Sequence, residues 1–328
     1  MESSPTRRPS RAKIVAAFGA IYVLWGATFL AIRIAIQTIP PFWMAGTRFL
    51  LAGSILYAVM KKRGAPPPNG RHWLSAAIVG ALMLVGGNGS VVWAEQRVSS
   101  GLAATLLATI PLWMVLLDSL RRGGRKLTVR VASGLGIGLA GVGILAGPAQ
   151  LWGSSRVDLL GAGVLIFSAF CWASGSLYSR SADLPPSPFM AAAMEMLVGG
   201  AMLIVLGILV EGGHLSWRTV SAPSVAGLVY LVAFGSLVGF TAYIWLLGVV
   251  SVSRVATYAY VNPVVAVILG CAIADEPISA RGLLATGTIV AAVALILSPA
   301  PEQEGGKRDS EYRRDGPGPQ VRDTGVAT

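Results

Sequence analysis

Ten apolar runs, separated by short polar links, constrain this chain before anything else. They lie near residues 14–34, 42–60, 73–93, 101–119, 130–147, 158–178, 189–210, 224–246, 255–273 and 281–298. A helix of about 20 residues crosses the hydrocarbon core of a bilayer, so each run predicts one transmembrane helix. The expected fold class is an all-α integral membrane protein with ten transmembrane helices and the lipid bilayer as its solvent. The chain is 54% hydrophobic and 12% charged, against about 25% charged in a soluble domain.

The net charge of +11 does not point to nucleic acid, because the basic residues sit in the links between runs. There they carry orientation information: lysine and arginine favour the cytoplasmic side. One set of segments holds Arg7, Arg8, Arg11, Lys13, Lys61, Lys62, Arg63, Arg71, Arg121, Arg122, Arg125, Lys126, Arg130, Arg180 and Arg254. The alternate set holds Arg33, Arg97, Arg156, Arg218 and Arg281. Both termini are therefore expected in the cytoplasm of a cell whose inner membrane the chain crosses. Met1–Lys13 reads as a basic cytoplasmic lead rather than a signal peptide, since the first run is long enough to span and lacks a clear small-residue cleavage site.

The two cysteines, Cys171 and Cys271, fall within apolar runs, and the two histidines, His72 and His214, in polar links. No disulfide framework, metal site or cofactor is expected. No span carries a histidine or an aspartate pair, so an intramembrane enzyme is not expected either.

The chain repeats itself. WGATFLAIR (Trp25–Arg33) and WASGSLYSR (Trp172–Arg180) place Trp and Arg alike at an offset of 147 residues. Pro111, in SSGLAATLLATIPLWMVLL, and Pro263, in SVSRVATYAYVNPVVAVILG, lie 152 apart. Two five-helix halves, 14–147 and 158–298, follow from this. An odd number of spans per half inserts the second upside down, the inverted-repeat plan of secondary transporters. Residues 299–328 read as a disordered cytoplasmic tail, rich in Glu, Arg, Gly and Pro. Glycine pairs four apart in run five, Gly134/Gly138 and Gly143/Gly147, are expected to let helices approach closely.

Proline within a helix leaves a backbone carbonyl without its donor, here that of Ala259. In a membrane this is tolerated where protein or a wet cavity satisfies it. Breaks at Pro111 and Pro263 are therefore expected to meet at the midplane and mark a substrate cavity. Tyr258, Tyr260 and Asn262 are expected on its cytoplasmic side. Trp25 and Trp172 lie too deep for an interfacial belt and join the candidates, with core packing as the plainer reading of each ring. Asn88, in a glycine-rich stretch, can line a cavity or bond a neighbouring helix.

Ionisable residues within spans are costly and face the bundle interior. Glu195 is the proton-coupling candidate, because desolvation favours the neutral form of a carboxyl group. Arg48 aligns with it at the 147 offset. For Arg48 two readings stand: substrate contact, or a structural role through an ion pair or snorkelling. Glu95 reads as a solvated helix end, Asp158 as a helix N-terminal residue, and Arg33 and Arg180 as helix C-terminal cations.

Taken together, WGATFLAIR, GTRFLLAG, GNGSVVWAEQRVSSGLAA, CWASGSLYSR, MEML and TYAYVNPVVAVILG resemble the drug/metabolite transporter superfamily, and within it EamA-type ten-helix exporters. The resemblance runs from about Ile14 to Ser298. It implies inverted repeats, a central cavity for a small-molecule substrate, and export driven by an ion gradient, with protons as the coupling ion. An uncoupled facilitator or importer on the same fold is the alternative. Neither substrate identity nor oligomeric state can be read from the residues.

Overall fold

The computed structural model describes residues 10–98, 103, 106–121, 127–146, 158–212, 220–265 and 280–297, and every element in them is helical. Met1–Ile296 forms one compact unit. The basic lead up to residue 9 and the tail after Leu297 lie outside the described residues, as do Asp275, Glu276 and most of the apolar half of run nine.

Runs one and two are α1 (Arg11–Gly26) with α2 (Thr28–Ala35), and α3 (Pro41–Lys62). Run three is α4 (Gly70–Val79), a wider π-helical segment Gly80–Gly89, and α5 (Ser90–Ala94). Runs four and five hold α6 (Ile110–Leu120) and α7 (Val129–Ala146). The second half follows with α8 (Leu159–Ser179) and α9 (Pro188–Val210). Run eight is α10 (Ala222–Tyr230), a second π segment Leu231–Phe240, and α11 (Thr241–Val249). Then come α12 (Val252–Val255), helical residues 258–265, and α13 (Ala280–Leu297). Among the described residues six helices are long and apolar enough to cross a membrane: Arg11–Ala35, Pro41–Lys62, Gly70–Ala94, Leu159–Ser179, Pro188–Val210 and Ala222–Val249. Runs four, five, nine and ten contribute shorter helical stretches there.

Local sequence sets the helix ends. Ser10, Asn69, Asp158, Ser187 and Ser221 accept backbone N–H groups at helix starts, where the first donors have no intrahelical partner. Gly64 and Gly212 adopt φ of 77° and 89° just past α3 and α9, the left-handed turn that glycine takes without a Cβ penalty.

The helix breaks differ from the sequence expectation. Run nine is interrupted at Ala256–Thr257, and Pro263 sits inside the helical stretch that follows. Run four is interrupted at Ala108–Thr109, which puts Pro111 in the first turn of α6, where a missing N–H costs nothing. Run one also breaks, at Ala27, where the Thr28 hydroxyl donates to the Trp25 carbonyl at 2.6 Å.

The bundle has two recognisable ends. At one, the Arg97 guanidinium meets Asp158 at 3.5 Å, and Glu211 accepts from the N–H groups of Phe42 (2.9 Å) and Trp43 (3.2 Å). At the other, His72 approaches Asp183 at 3.6 Å, Arg121 donates to the Leu177 carbonyl, and Arg180 donates to the carbonyls of Leu247 and Val250. Arg180, which ends its own helix, thus also serves the C-terminal end of α11. The first end also carries the N-terminus of α8, opposite to the end at which α1 begins.

The α3–α9 pair is the tightest contact. A Cβ built on Gly200 would lie 2.8 Å from the Leu50 backbone nitrogen, and one on Gly53 would lie 2.9 Å from that of Leu197. Gly46 faces Ile204, and Gly207 faces Trp43, so the helices run antiparallel with backbones touching. In run five, Gly134 takes the Ile296 side chain and Gly138 the Tyr260 ring, whereas nothing lies within 4 Å of the Gly143 site; Gly147 is outside the described residues.

Two terminal features carry modest predictions. Glu211 supplies acceptors to the start of α3, so Glu211→Ala should cost about 1 kcal/mol, read as a lower melting temperature in detergent. The N–H groups of Gly161 and Leu160 and the Arg97 guanidinium hold the Asp158 carboxyl below the usual carboxylate range. A depressed folded value means stability present above the unfolded pKa of about 4 and lost as pH falls through the lower folded value. Melting curves of wild type and Asp158→Asn should therefore converge on acidification from pH 6 to 3.

Candidate functional site

A cavity of about 90 Å³ lies between the two halves, near the middle of the helices. That is several times what one water needs. Trp25, Thr28, Arg48, Phe49, Asn88, Trp172, Gly235, Phe240, Tyr258, Ala259, Asn262 and Pro263 are among the residues that line it.

Irregular backbone shapes this site. The Ala27 break turns Trp25 and Thr28 towards it, and both π segments pass beside it. Their carbonyls take side-chain donors from the opposite half: the Trp25 indole nitrogen donates to Gly235 at 3.0 Å, and the Ser168 hydroxyl to Gly87 at 2.9 Å. Pro263 deprives the Ala259 carbonyl of its helical donor, and Ala259 faces the cavity. Asn262, oriented with its amide nitrogen inward, donates to the carbonyls of Tyr258 (3.1 Å) and Tyr22 (3.3 Å).

On the side towards Arg121 and Arg180 the cavity ends in a cluster of rings packed edge-on or tilted against one another. Trp25 meets Tyr258 at 5.0 Å, Tyr243 at 5.2 Å and Trp172 at 5.7 Å between centroids. Tyr243 is fully buried; its hydroxyl receives the Trp172 indole N–H at 3.0 Å and pairs with Ser176 at 2.7 Å. Tyr22 and Thr257 close the layer below at 2.6 Å. Tyr243→Phe should leave the Trp172 indole N–H without its acceptor and Ser176 without one of its partners, and cost about 1 kcal/mol, measured as a shift in thermal unfolding. Nothing in the sequence singled out Tyr243, one of two tyrosines in an apolar run. Towards the other end, a second cavity of about 480 Å³ is lined by Ile36–Phe42, Trp93, Gln96, Val210 and Glu211.

The sequence candidates divide. Trp25, Arg48, Asn88, Trp172, Tyr258, Asn262 and Pro263 share the central cavity. Tyr260 does not: its ring lies on Gly138 and its hydroxyl donates to the Leu135 carbonyl at 3.3 Å. Two residues along a helix turn a side chain by about 200°, so Tyr258 and Tyr260 face opposite ways. Pro111 is buried in α6, while its neighbour Ile110 reaches the cavity.

Arg48 is 4% exposed. Its Nε donates to Ser236 at 2.7 Å, its guanidinium lies 4.6 Å from the Phe49 ring centroid, and Nη1 has no partner. Glu195 is fully buried with neither carboxylate oxygen hydrogen-bonded; the Ser179 side chain lies close by, and the residue is absent from the cavity lining. Arg48 and Glu195 form no ion pair. Gly53 of α3 stands opposite Ala193 and Leu197, so Arg48 is about five residues, or about 7.5 Å, further along the axis.

Glu95 departs from its reading as a solvated end. Both its oxygens are buried without a hydrogen bond, and burial pushes its carboxyl up against the pull of Arg33.

Comparison with known proteins now decides the family. The profile of the EamA-like transporter family matches residues 12–147 and again residues 159–298. The chain belongs to the EamA-like transporter family. The inner membrane transporter YedA of Escherichia coli K12 is 40% identical over 281 residues, covering 84% of this chain and 88% of YedA. The transporter YvbV of Bacillus subtilis is 22% identical, covering 88% and 92%. A crystal structure with 21% identity superposes at a TM-score of 0.73, covering 88% of this chain and 97% of that one; at that identity the likeness speaks for the fold alone.

Proposed function

We propose that this EamA-family protein is a secondary-active transporter that exports small amphipathic metabolites or drugs across the cytoplasmic membrane by proton antiport and alternating access. In this reading ten transmembrane helices form two inverted five-helix repeats, with both termini in the cytoplasm. The observation that carries it is the central cavity: aromatic walls, a few converging polar groups, and irregular backbone from both halves around one space. Ligand sites of this composition suit amphipathic solutes, and broken helices at a repeat interface suit transporter sites.

The repeat reading draws on paired features. The two π segments begin at Gly80 and Leu231, and each accepts a hydrogen bond from the first helix of the other half. The match of the family profile to each half separately supports it too. The positive-inside rule puts the Arg121–Arg180 end in the cytoplasm, so this conformer is closed inwards by the Trp25–Tyr243–Tyr258 rings. Opening inwards then requires the Arg180 bonds to the Leu247 and Val250 carbonyls to break. Glu195 lies outside the cavity, so a proton there acts indirectly, through the α9 backbone that touches α3, the helix bearing Arg48. The same placement gives the uncoupled facilitator its one specific support.

A toxicity and metabolite-efflux screen in overexpressing cells tests the transport reading. Wild-type cells should tolerate and expel at least one amphipathic compound, and Trp25→Ala or Asn262→Leu should lose that phenotype at equal expression. A phenotype untouched by both variants would place the transport path elsewhere.

A further inference from the structure

We infer that the central cavity selects amphipathic monoanions, with Arg48 as the group that binds the substrate's carboxylate; this rests on the transporter reading above and narrows its substrate class. A guanidinium stays protonated in proteins, and burying its charge is costly unless an anion meets it. Arg48 is 4% exposed, yet it takes part in no ion pair among the described residues, and its Nη1 has no acceptor. Ser236 holds Nε at 2.7 Å, which fixes the plane of the fork. Gly235 gives it room: a Cβ there would lie 2.9 Å from Nη2. The buried carboxylates able to neutralise it are elsewhere. Glu195 and Glu95 both lie outside the lining.

The rest of the lining defines the remainder of the ligand. Among the described residues that line it, Arg48 is the one ionisable cation or carboxylate. A single positive charge in a buried site neutralises one negative charge; a phosphate dianion would stay half-compensated, and a cation would be repelled. Asn88 also lines the cavity with its Oδ1 unpaired, an acceptor suited to a hydroxyl or N–H beside the carboxylate. The rings of Trp25, Phe49, Trp172 and Tyr258 take an apolar body.

The test uses full-length protein in neutral-lipid nanodiscs and three probes with one body and three charges: 3-phenylpropionate, 3-phenylpropionamide and 3-phenylpropylamine. Binding is followed by tryptophan fluorescence, since Trp25 and Trp172 line the cavity. The acid should bind at least tenfold more tightly than the amide, and the amine most weakly. Arg48→Gln should remove the acid's advantage while leaving the amide within about threefold, and Arg48→Lys should retain part of it. Should Arg48→Gln fail to fold, Ser236→Ala, which frees the fork, is expected to weaken the acid alone. Equal or tighter binding of amide or amine overturns the inference. So does an acid preference that survives Arg48→Gln, or no binding by any acid from acetate to 2-naphthylacetate. Efflux of neutral compounds without acid preference would sink this inference and leave the transporter reading standing. Acid binding with no flux in vesicles would do the reverse.

Discussion

Gly200→Leu should yield little folded protein, and Gly200→Ala a protein that melts measurably earlier in detergent. The reason is backbone contact between α3 and α9. The Cβ of an alanine at 200 would meet the Leu50 nitrogen at 2.8 Å and the Gly46 carbonyl at 3.1 Å. Neither is the far end of a flexible side chain, so the helices themselves must separate. Overpacking of this kind costs about 1–3 kcal/mol, and separation also loosens Gly53 against Leu197 and Gly46 against Ile204 along the same seam. Gly136, whose Cβ site is open, is the control: Gly136→Ala should leave stability unchanged or slightly improved, since alanine favours helix. Equal melting temperatures for Gly200→Ala and Gly136→Ala would mean that the seam is not close-packed.

Glu195→Gln should uncouple transport from the proton gradient. The glutamine keeps the shape of the neutral carboxyl group and removes its titration. On the proposed mechanism the variant exchanges labelled for unlabelled substrate at near wild-type rates but no longer accumulates it, a loss of at least tenfold in steady-state gradient. Because Glu195 lies outside the cavity, substrate affinity should change by less than about threefold. Arg48→Gln behaves oppositely, with affinity lost first, and the contrast separates coupling from binding. Loss of both exchange and accumulation in Glu195→Gln, with unchanged melting, would instead make Glu195 a structural element of the α9 packing.

Much of the architecture was legible in the sequence for physical reasons. The thickness of the bilayer fixes run length, and Asp158 was legible as a helix N-terminal residue. Trp25, Arg48, Asn88, Trp172 and Asn262 were legible because tryptophan, arginine and asparagine deep in an apolar helix are too costly to face lipid, and Tyr258 and Pro263 because they flank an expected helix break. The errors are equally physical. Tyr258 and Tyr260 were grouped by nearness in sequence, although the helical period sends them to opposite faces; Asn262, four on from Tyr258, shares its face. Proline was read as the place of the break, yet a helix accepts proline in its first turn, and Ala27, Ala108–Thr109 and Ala256–Thr257 break without one. The π segments carry no composition signal. The α3–α9 seam shows no four-residue glycine spacing in the sequence, because its glycines stand seven apart, Gly46 with Gly53 and Gly200 with Gly207. Glu95 was misjudged because burial at a helix end depends on which helices pack over it.

The central claim is proton-driven export, and accumulation in inverted membrane vesicles tests it most directly. The vesicle lumen then corresponds to the cell exterior. With the lumen made acidic, a compound returned by the efflux screen should concentrate inside above its external level and leak back when a protonophore collapses the gradient. Equilibration to the external concentration, the same with and without the gradient, would contradict the account and identify a facilitator.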